Sequence, residues 1–330
     1  MSKEKIENNI IIELDAKRTI PLPQEMISEI FSHLDKRSQG SLALAHSLFG
    51  HSVFQKDRAT FHHDRITKKL FALAGSAEQD KMEEILKKSP EFLRVYAPLT
   101  DISGRVFNNI TVFQHALWAG DVRYMANMML DCLQNHEEGE SIRQELLRQY
   151  EEFMENGLSY ELNGQSYQEK QFSMQPLIDA LTTYVKNYDN RTSEERCSHW
   201  CTQVGISQTL LPAHIRQHYC DPEESFWDKP TFTKEKFTRS LKFYNYIQLS
   251  EQLWTDSLVG LGVEFGIARG AGSPPGGAED VRLRLAAEVD LAALEVLCKV
   301  RAEDLPLFIQ RLQNPIQNLE KDQKTRCTIS

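Results

Sequence analysis

Four residues in the second half of the chain have the types and spacing of a metal site. Cys197 and Cys201 are separated by three residues, His214 follows after twelve more, and His218 after a further three. Two thiolates and two imidazoles are a donor set that closes a tetrahedron around zinc. Leu211 even lies where a zinc finger has its core leucine. The local sequence opposes the assignment: Gly205 stands where an aromatic is expected, Pro212 interrupts the helix that would align the two histidines, and the Cys197–Cys201 stretch has a helical pattern instead of a hairpin. No metal is therefore expected, and these residues read as core thiols and partly exposed imidazoles. Gly260 and Gly262 fail the dinucleotide-binding spacing because Phe265 holds the third glycine's place, and no GxxxxGK phosphate loop exists. Glu264 and Arg269, with Trp254 and Phe265, have the chemistry to border a pocket, and His62-His63-Asp64 is a second titratable group. Neither supplies a nucleophile, a base and an orienting acid by spacing, so no catalytic residues and no cofactor are assigned.

The composition narrows the function further. The 330 residues are 41% hydrophobic and 26% charged, a globular balance, and carry a formal charge of −9. Excess carboxylates argue against nucleic acid as a partner, since phosphates must be neutralised by cations. The chain lacks the roughly 18 consecutive apolar residues of a membrane span. The first thirteen residues lack the apolar core of a secretory signal, so the six cysteines are expected as thiols in a reducing compartment.

Apolar residues recur at helical spacing through most of the chain. Met26, Ile27, Ile30, Phe31 and Leu34 line one side of a first helix, and a second reads through Leu42, Leu44 and Leu48. Paired helices follow between residues 68 and 133, separated by a loop holding Pro98 and Gly104. Another amphipathic helix spans 141–156, after which the period changes to alternation over 158–167 around Asn163-Gly164, a strong two-residue hairpin turn. Helices resume over 175–187, 191–203 and 212–219. Residues 221–238 read as an extended packed loop leading to a helix through Leu241, Tyr244 and Leu249. Beyond the glycine-rich stretch 260–277, one helix runs from Ala278 to Cys298 and a second continues after Asp304 to about Leu319.

The segment Leu22-Pro23-Gln24-Glu25-Met26-Ile27-Ser28-Glu29-Ile30-Phe31-Ser32-His33-Leu34-Asp35 resembles the F-box, which opens on LP, an acid and two aliphatics and closes this stretch on an aliphatic pair and LD. The looser second half places Leu42 and Ala45 at small or aliphatic positions and Phe49 where the family often has Trp. The resemblance covers roughly residues 20–60, within a unit read as 20–66, and implies a three-helix unit that binds Skp1, and through it a cullin ubiquitin ligase, in an SCF complex. The residues that would meet Skp1 are Leu22, Pro23, Met26, Ile27, Ile30, Phe31 and Leu34, with Pro23 fixing the helix entry beside an apolar ridge.

The last four residues, Cys327-Thr328-Ile329-Ser330, resemble a CaaX box of the farnesyl type. This implies a host prenyltransferase as partner and Cys327 as the lipidated residue. One lipid anchors weakly, and Lys321, Lys324 and Arg326 supply a second, electrostatic contribution against an anionic membrane surface. Thr111-Val112-Phe113-Gln114-His115-Ala116-Leu117-Trp118-Ala119-Gly120-Asp121 is similar to the ankyrin pattern, in which the Thr caps a helix and Gly120 turns the chain into the next one, here 122–133. Val112 and Gln114 depart from the usual Pro and His. The upstream segment 70–86 is a poorer relative, so at most two units are expected, packed on the central domain.

The expected architecture is mainly α with one small hairpin. A tail (1–19) precedes the F-box unit (20–66), ankyrin-like helix pairs (67–135), a central helical domain with its hairpin near 158–167 (136–270), a C-terminal helical pair (271–319) and a mobile prenylated tail (320–330). The F-box, ankyrin-like helices and CaaX ending together resemble effectors that intracellular bacteria deliver into host cells. That resemblance implies a non-catalytic ubiquitin-ligase adaptor, exported without a signal peptide, that holds an unidentified target protein on the cytosolic face of host membranes. The alternative is an effector enzyme whose central domain carries the chemistry, with the F-box and CaaX box as targeting elements.

Overall fold

The structure is a computed structural model that describes residues 33, 52–221, 223–224, 226, 229–236, 238–245, 250–254, 266–267 and 284–315. The chain divides into two compact units, Met1–Arg65 and Ile66–Ser330. The residues expected to meet Skp1, from Leu22 to Leu34, with Cys327 and the cations Lys321, Lys324 and Arg326, lie outside the described residues.

The second unit is mainly helical with small antiparallel sheets. Helix α1 (Ser52–Gly75) turns Leu70, Phe71 and Ala74 into the core, and α2 (Gln79–Leu86) adds Met82 and Leu86, one turn apart. The loop expected around Pro98 and Gly104 is instead a β-hairpin of β1 (Ala97–Thr100) and β2 (Val106–Ile110). Asp101 builds its turn, accepting the N–H groups of Ser103 and Arg105 at 2.9 and 3.0 Å, while Gly104 takes φ 86°. Asn163 and Gly164, both at positive φ, join β3 (Leu158–Leu162) to β4 (Gln165–Glu169) as the sequence predicts. The four strands form one sheet in chain order.

Helix α3 (Val112–Ala119) is buried on every side. It packs Trp118 edge-on against Phe107 and Tyr160 of the sheet, with Phe172 on the same ring. Beyond it a π-helical turn, Val122–Ala126, runs into α4 (Asn127–Asp131). Helix α5 (Glu137–Asn156) buries Ile142, Leu146 and Phe153 on one face, and α6 (Gln175–Asn187) buries Leu177, Ala180, Leu181 and Tyr184. The chain continues through α7 (Ser193–His199), a π-helical stretch to Gly205, α8 (Ile206–Thr209) and the fully buried α9 (Ala213–Tyr219).

Two further expectations need correction. The helix expected through Leu241 and Tyr244 is a second hairpin, β5 (Lys242–Asn245) with β6 (Ser250–Leu253). Its Lys-Phe-Tyr-Asn run carries strand-favouring aromatics, and Phe243 is buried against Trp254. The expected pair of C-terminal helices, interrupted near Asp304, is one helix, α10 (Arg284–Gln313), with Pro306 inside it. It packs on α6, on the 122–126 turn and on α5, and its partners in the core hold it continuous through the proline. Among the described residues no helix is long and apolar enough to cross a membrane.

Candidate functional site

The most concentrated polar chemistry in the second unit gathers where α3 ends. Thr111 starts that helix with a capping box: its hydroxyl accepts the Gln114 N–H, and the Gln114 side chain accepts the Thr111 N–H, both at 3.1 Å. Gly120, at φ 76°, ends it in the left-handed conformation. A side chain at Gly120 would run into the guanidinium of Arg301, which α10 lays across this turn to donate to the Ala119 carbonyl at 2.7 Å. The turn delivers Asp121 inward, where it caps the next helical turn through the Met125 N–H at 3.2 Å.

Arg239 closes over Asp121 from the segment preceding β5. Its Nη1 and Nη2 donate to the two carboxylate oxygens at 2.8 and 3.0 Å, a bidentate fork. The same guanidinium donates to Gln217 at 3.0 Å and, through Nε, to Gln79 at 2.9 Å. Burial by itself would raise the Asp121 carboxyl, but the charge and hydrogen bonds of Arg239 outweigh it and hold the group down at about 2. Asp121 is thus an ionised, paired carboxylate in the interior.

Beneath this pair is a cavity of about 10 Å³, lined by small alanines together with His115, Asp121 and His214. It has room for roughly one water. His115 Nε2 and both ring nitrogens of His214 have no hydrogen-bond partner among the described residues. Burial pushes His115 down to about 4 and His218 to about 3, and it lowers His214 well below the ordinary imidazole value, so the group is neutral near pH 7. A space of this size does not admit a substrate of ordinary size.

Arg239 also forms part of the floor of an open cleft of about 760 Å³ between α2, the turn into α4 and residues 235–239. Tyr124 shares that floor and donates its hydroxyl to the Lys234 carbonyl at 3.0 Å. Charged groups of both signs dominate the walls, among them Glu78, Asp80, Lys81, Asp131 and Lys236. Arg123 at the rim is held by Asp304 of α10 through bonds of 3.0 and 2.5 Å. Small-molecule sites are mostly apolar with a few polar groups. A wall of mixed charge suits the surface of another protein better.

The residues with zinc-like spacing do not converge. Cys197 is exposed on α7, Cys201 is buried in the π-helical stretch, and the rings of His214 and His218 lie 6.3 Å apart, edge to face, in α9. Among the described residues no group of three or more His, Cys, Asp or Glu is placed to hold a metal ion. The imidazoles are not partly exposed, as expected, but fully buried, because every residue of α9 lies inside. Trp254 packs in the core against Tyr219 and Phe243, while Glu264, Phe265 and Arg269 lie outside the described residues. His62, His63 and Asp64 are exposed on α1. Sequence reasoning missed Arg239. It sits in a segment without periodicity, and only the fold brings it to Asp121.

Residues 176–312 match the family described as the CBUA0006 C-terminal domain. Over a longer span the chain is similar to the uncharacterized protein CBUA0006 of Coxiella burnetii, with 32% identity over 269 residues that cover 77% of each chain. No solved structure matches it. The matched segment supplies Arg239, His214 and Arg301, whereas Asp121, His115 and Gln79 precede it. The polar cluster is completed across that boundary.

Proposed function

The chain belongs to the family of the Coxiella burnetii protein CBUA0006, and we propose that this member is a non-catalytic adaptor which couples a target protein to a Skp1-cullin ubiquitin ligase. The observation that carries the reading is the bracket Leu22-Pro23 to Leu34-Asp35 within a compact unit, Met1–Arg65, distinct from the unit that bears the charged cleft. One unit then docks on Skp1 through Leu22, Pro23, Met26, Ile27, Ile30, Phe31 and Leu34, and the other holds the target. Ubiquitin transfer belongs to the other ligase subunits and gains from proximity alone. Prenylation of Cys327, aided by Lys321, Lys324 and Arg326, confines the assembly to the cytosolic face of a host membrane. The nine charged residues among the fourteen that line the cleft support a protein target over a small substrate.

Skp1 binding to the full chain, measured by pull-down and calorimetry, tests the proposal. Binding is expected for the intact protein and is expected to be lost in Leu22→Ala/Pro23→Ala and in Ile30→Glu. An intact, folded chain that does not bind Skp1 overturns it.

A further inference from the structure

A second surface, on the sheet, has open hydrogen-bonding capacity. Strands β2 and β3 are bridged at Val106 and Glu161 alone. Continued in register, Asn108 would face Ser159 and Ile110 would face Gly157, yet none of these residues pairs across the strands. On their outer sides β2 pairs with β1 at Val106, Phe107 and Ile110, with an irregularity at Asn108–Asn109, and β3 pairs with β4 along its whole length. A cleft of about 350 Å³ opens between the inner edges, bounded by Asn108, Asn109, Leu158 and Ser159. Backbone groups on such edges need a partner, either water or another strand.

The walls indicate what that strand carries. Glu152 and Glu161 line the cleft, and no lysine or arginine does. Glu152 already has Arg148 at 3.6 Å and the Tyr96 hydroxyl at 3.2 Å. Glu161 is exposed and has no ion pair among the described residues. Independently, Gln114 lines the same cleft while 3% exposed. Its Oε1 is committed to the Thr111 N–H, and its Nε2 donates to no group among the described residues, which leaves a donor open to the cleft for a carbonyl.

We propose that the wedge between β2 and β3 binds an extended, positively charged peptide, which adds to the sheet as a short strand. The open edge runs over Asn108–Ile110 on one side and back from Ser159 toward Gly157 on the other, about 10 Å of extended chain at most. The Gly157 N–H is already committed to the Phe153 carbonyl at 2.7 Å. Main-chain hydrogen bonds to Asn108–Ile110 and to Ser159 supply the affinity, Gln114 Nε2 takes a peptide carbonyl, and Glu161 selects a lysine or arginine. Peptide capture here requires nothing of the F-box.

The test uses the full chain and a fluorescein-labelled, end-blocked peptide of alternating lysine and valine, followed by fluorescence polarisation. The glutamate-valine peptide and a lysine-valine peptide N-methylated on alternate backbone nitrogens serve as comparisons. The lysine peptide is expected to bind, and N-methylation to abolish binding. The exposed change Glu161→Lys is expected to weaken it roughly tenfold, the size of a reversed surface ion pair, with the circular dichroism unchanged. Amides of Asn108–Ile110 are expected to gain protection from hydrogen exchange. Binding that survives N-methylation, equal binding of the glutamate peptide, or no binding of the lysine peptide overturns the proposal. Loss of Skp1 binding in Ile30→Glu with peptide binding intact separates this site from the adaptor reading.

Discussion

At the scale of single residues, the interior beneath the cleft is an acid-sensitive device in the thermodynamic sense. His115 is neutral in the folded protein, with burial holding it at about 4, and it protonates near 6.5 when the chain unfolds. Between those values the unfolded chain binds the extra proton, so stability drops as pH falls from about 6.5 toward 4, by roughly 3 kcal/mol for this group. His218, held at about 3 by burial, acts in the same direction. Asp121, depressed to about 2 against burial by Arg239, adds a further loss only between about pH 4 and 2. Urea denaturation is therefore expected to show a clearly lower midpoint at about pH 4.5 than at about pH 7, and His115→Leu is expected to flatten that dependence. Equal midpoints at the two pH values contradict the buried, neutral imidazole. The sequence displayed His115 and Asp121 as members of an ankyrin-like stretch and His214 and His218 as metal-like ligands. The fold buries them together, and Arg239, which pairs Asp121, lies more than a hundred residues from it in the chain.

At the scale of elements, the features that were legible are the ones set by neighbours in sequence. Asn163-Gly164 makes its turn because both residues accept positive φ, and the Thr111 cap and Gly120 stop delimit α3 by contacts within a few residues. Thr111 does more than cap. Its hydroxyl also donates to Gln149 Oε1 at 2.7 Å, and Gln149 in turn donates to the Leu93 carbonyl at 3.0 Å, all in the interior. Thr111→Ala is expected to lose about 2 kcal/mol or more by chemical denaturation, the upper range for a helix cap, because Gln149 is stranded as well. Thr111→Ser, which keeps the hydroxyl, is expected to recover most of it. The strands at 242–245 and 250–253 lie where the sequence predicts a helix, for the opposite reason. Their few apolar residues fit either period, and packing of Phe243 on Trp254 decided between them.

At the scale of the whole molecule, α10 makes the second unit one body. Phe308 packs on Phe113 of α3, Arg301 reaches the α3 carboxyl end, Asp304 holds Arg123, and Arg143 of α5 donates to the Leu312 carbonyl. These contacts join residues about 180 positions apart in the chain. A chain stopped after residue 283 is expected to lose its cooperative thermal transition and its near-ultraviolet circular dichroism, since Phe308, Ile309 and Leu312 leave the core together. A truncated chain that still melts cooperatively near the intact temperature contradicts this role for α10. The matched family segment, 176–312, likewise depends on Asp121 and Gln79 from outside it for the partners of Arg239.

The sequence by itself determined the helical class, the β3–β4 turn and the limits of α3, because periodicity, turn chemistry and capping are local and act over a few residues. Only the tertiary structure decided that His214 and His218 are fully buried instead of partly exposed, that Cys197 is exposed, that β1 and β2 extend the sheet, and that Arg239 meets Asp121. A buried ion pair and an unpaired strand edge are defined by what lies across the fold, and sequence spacing carries no record of that distance.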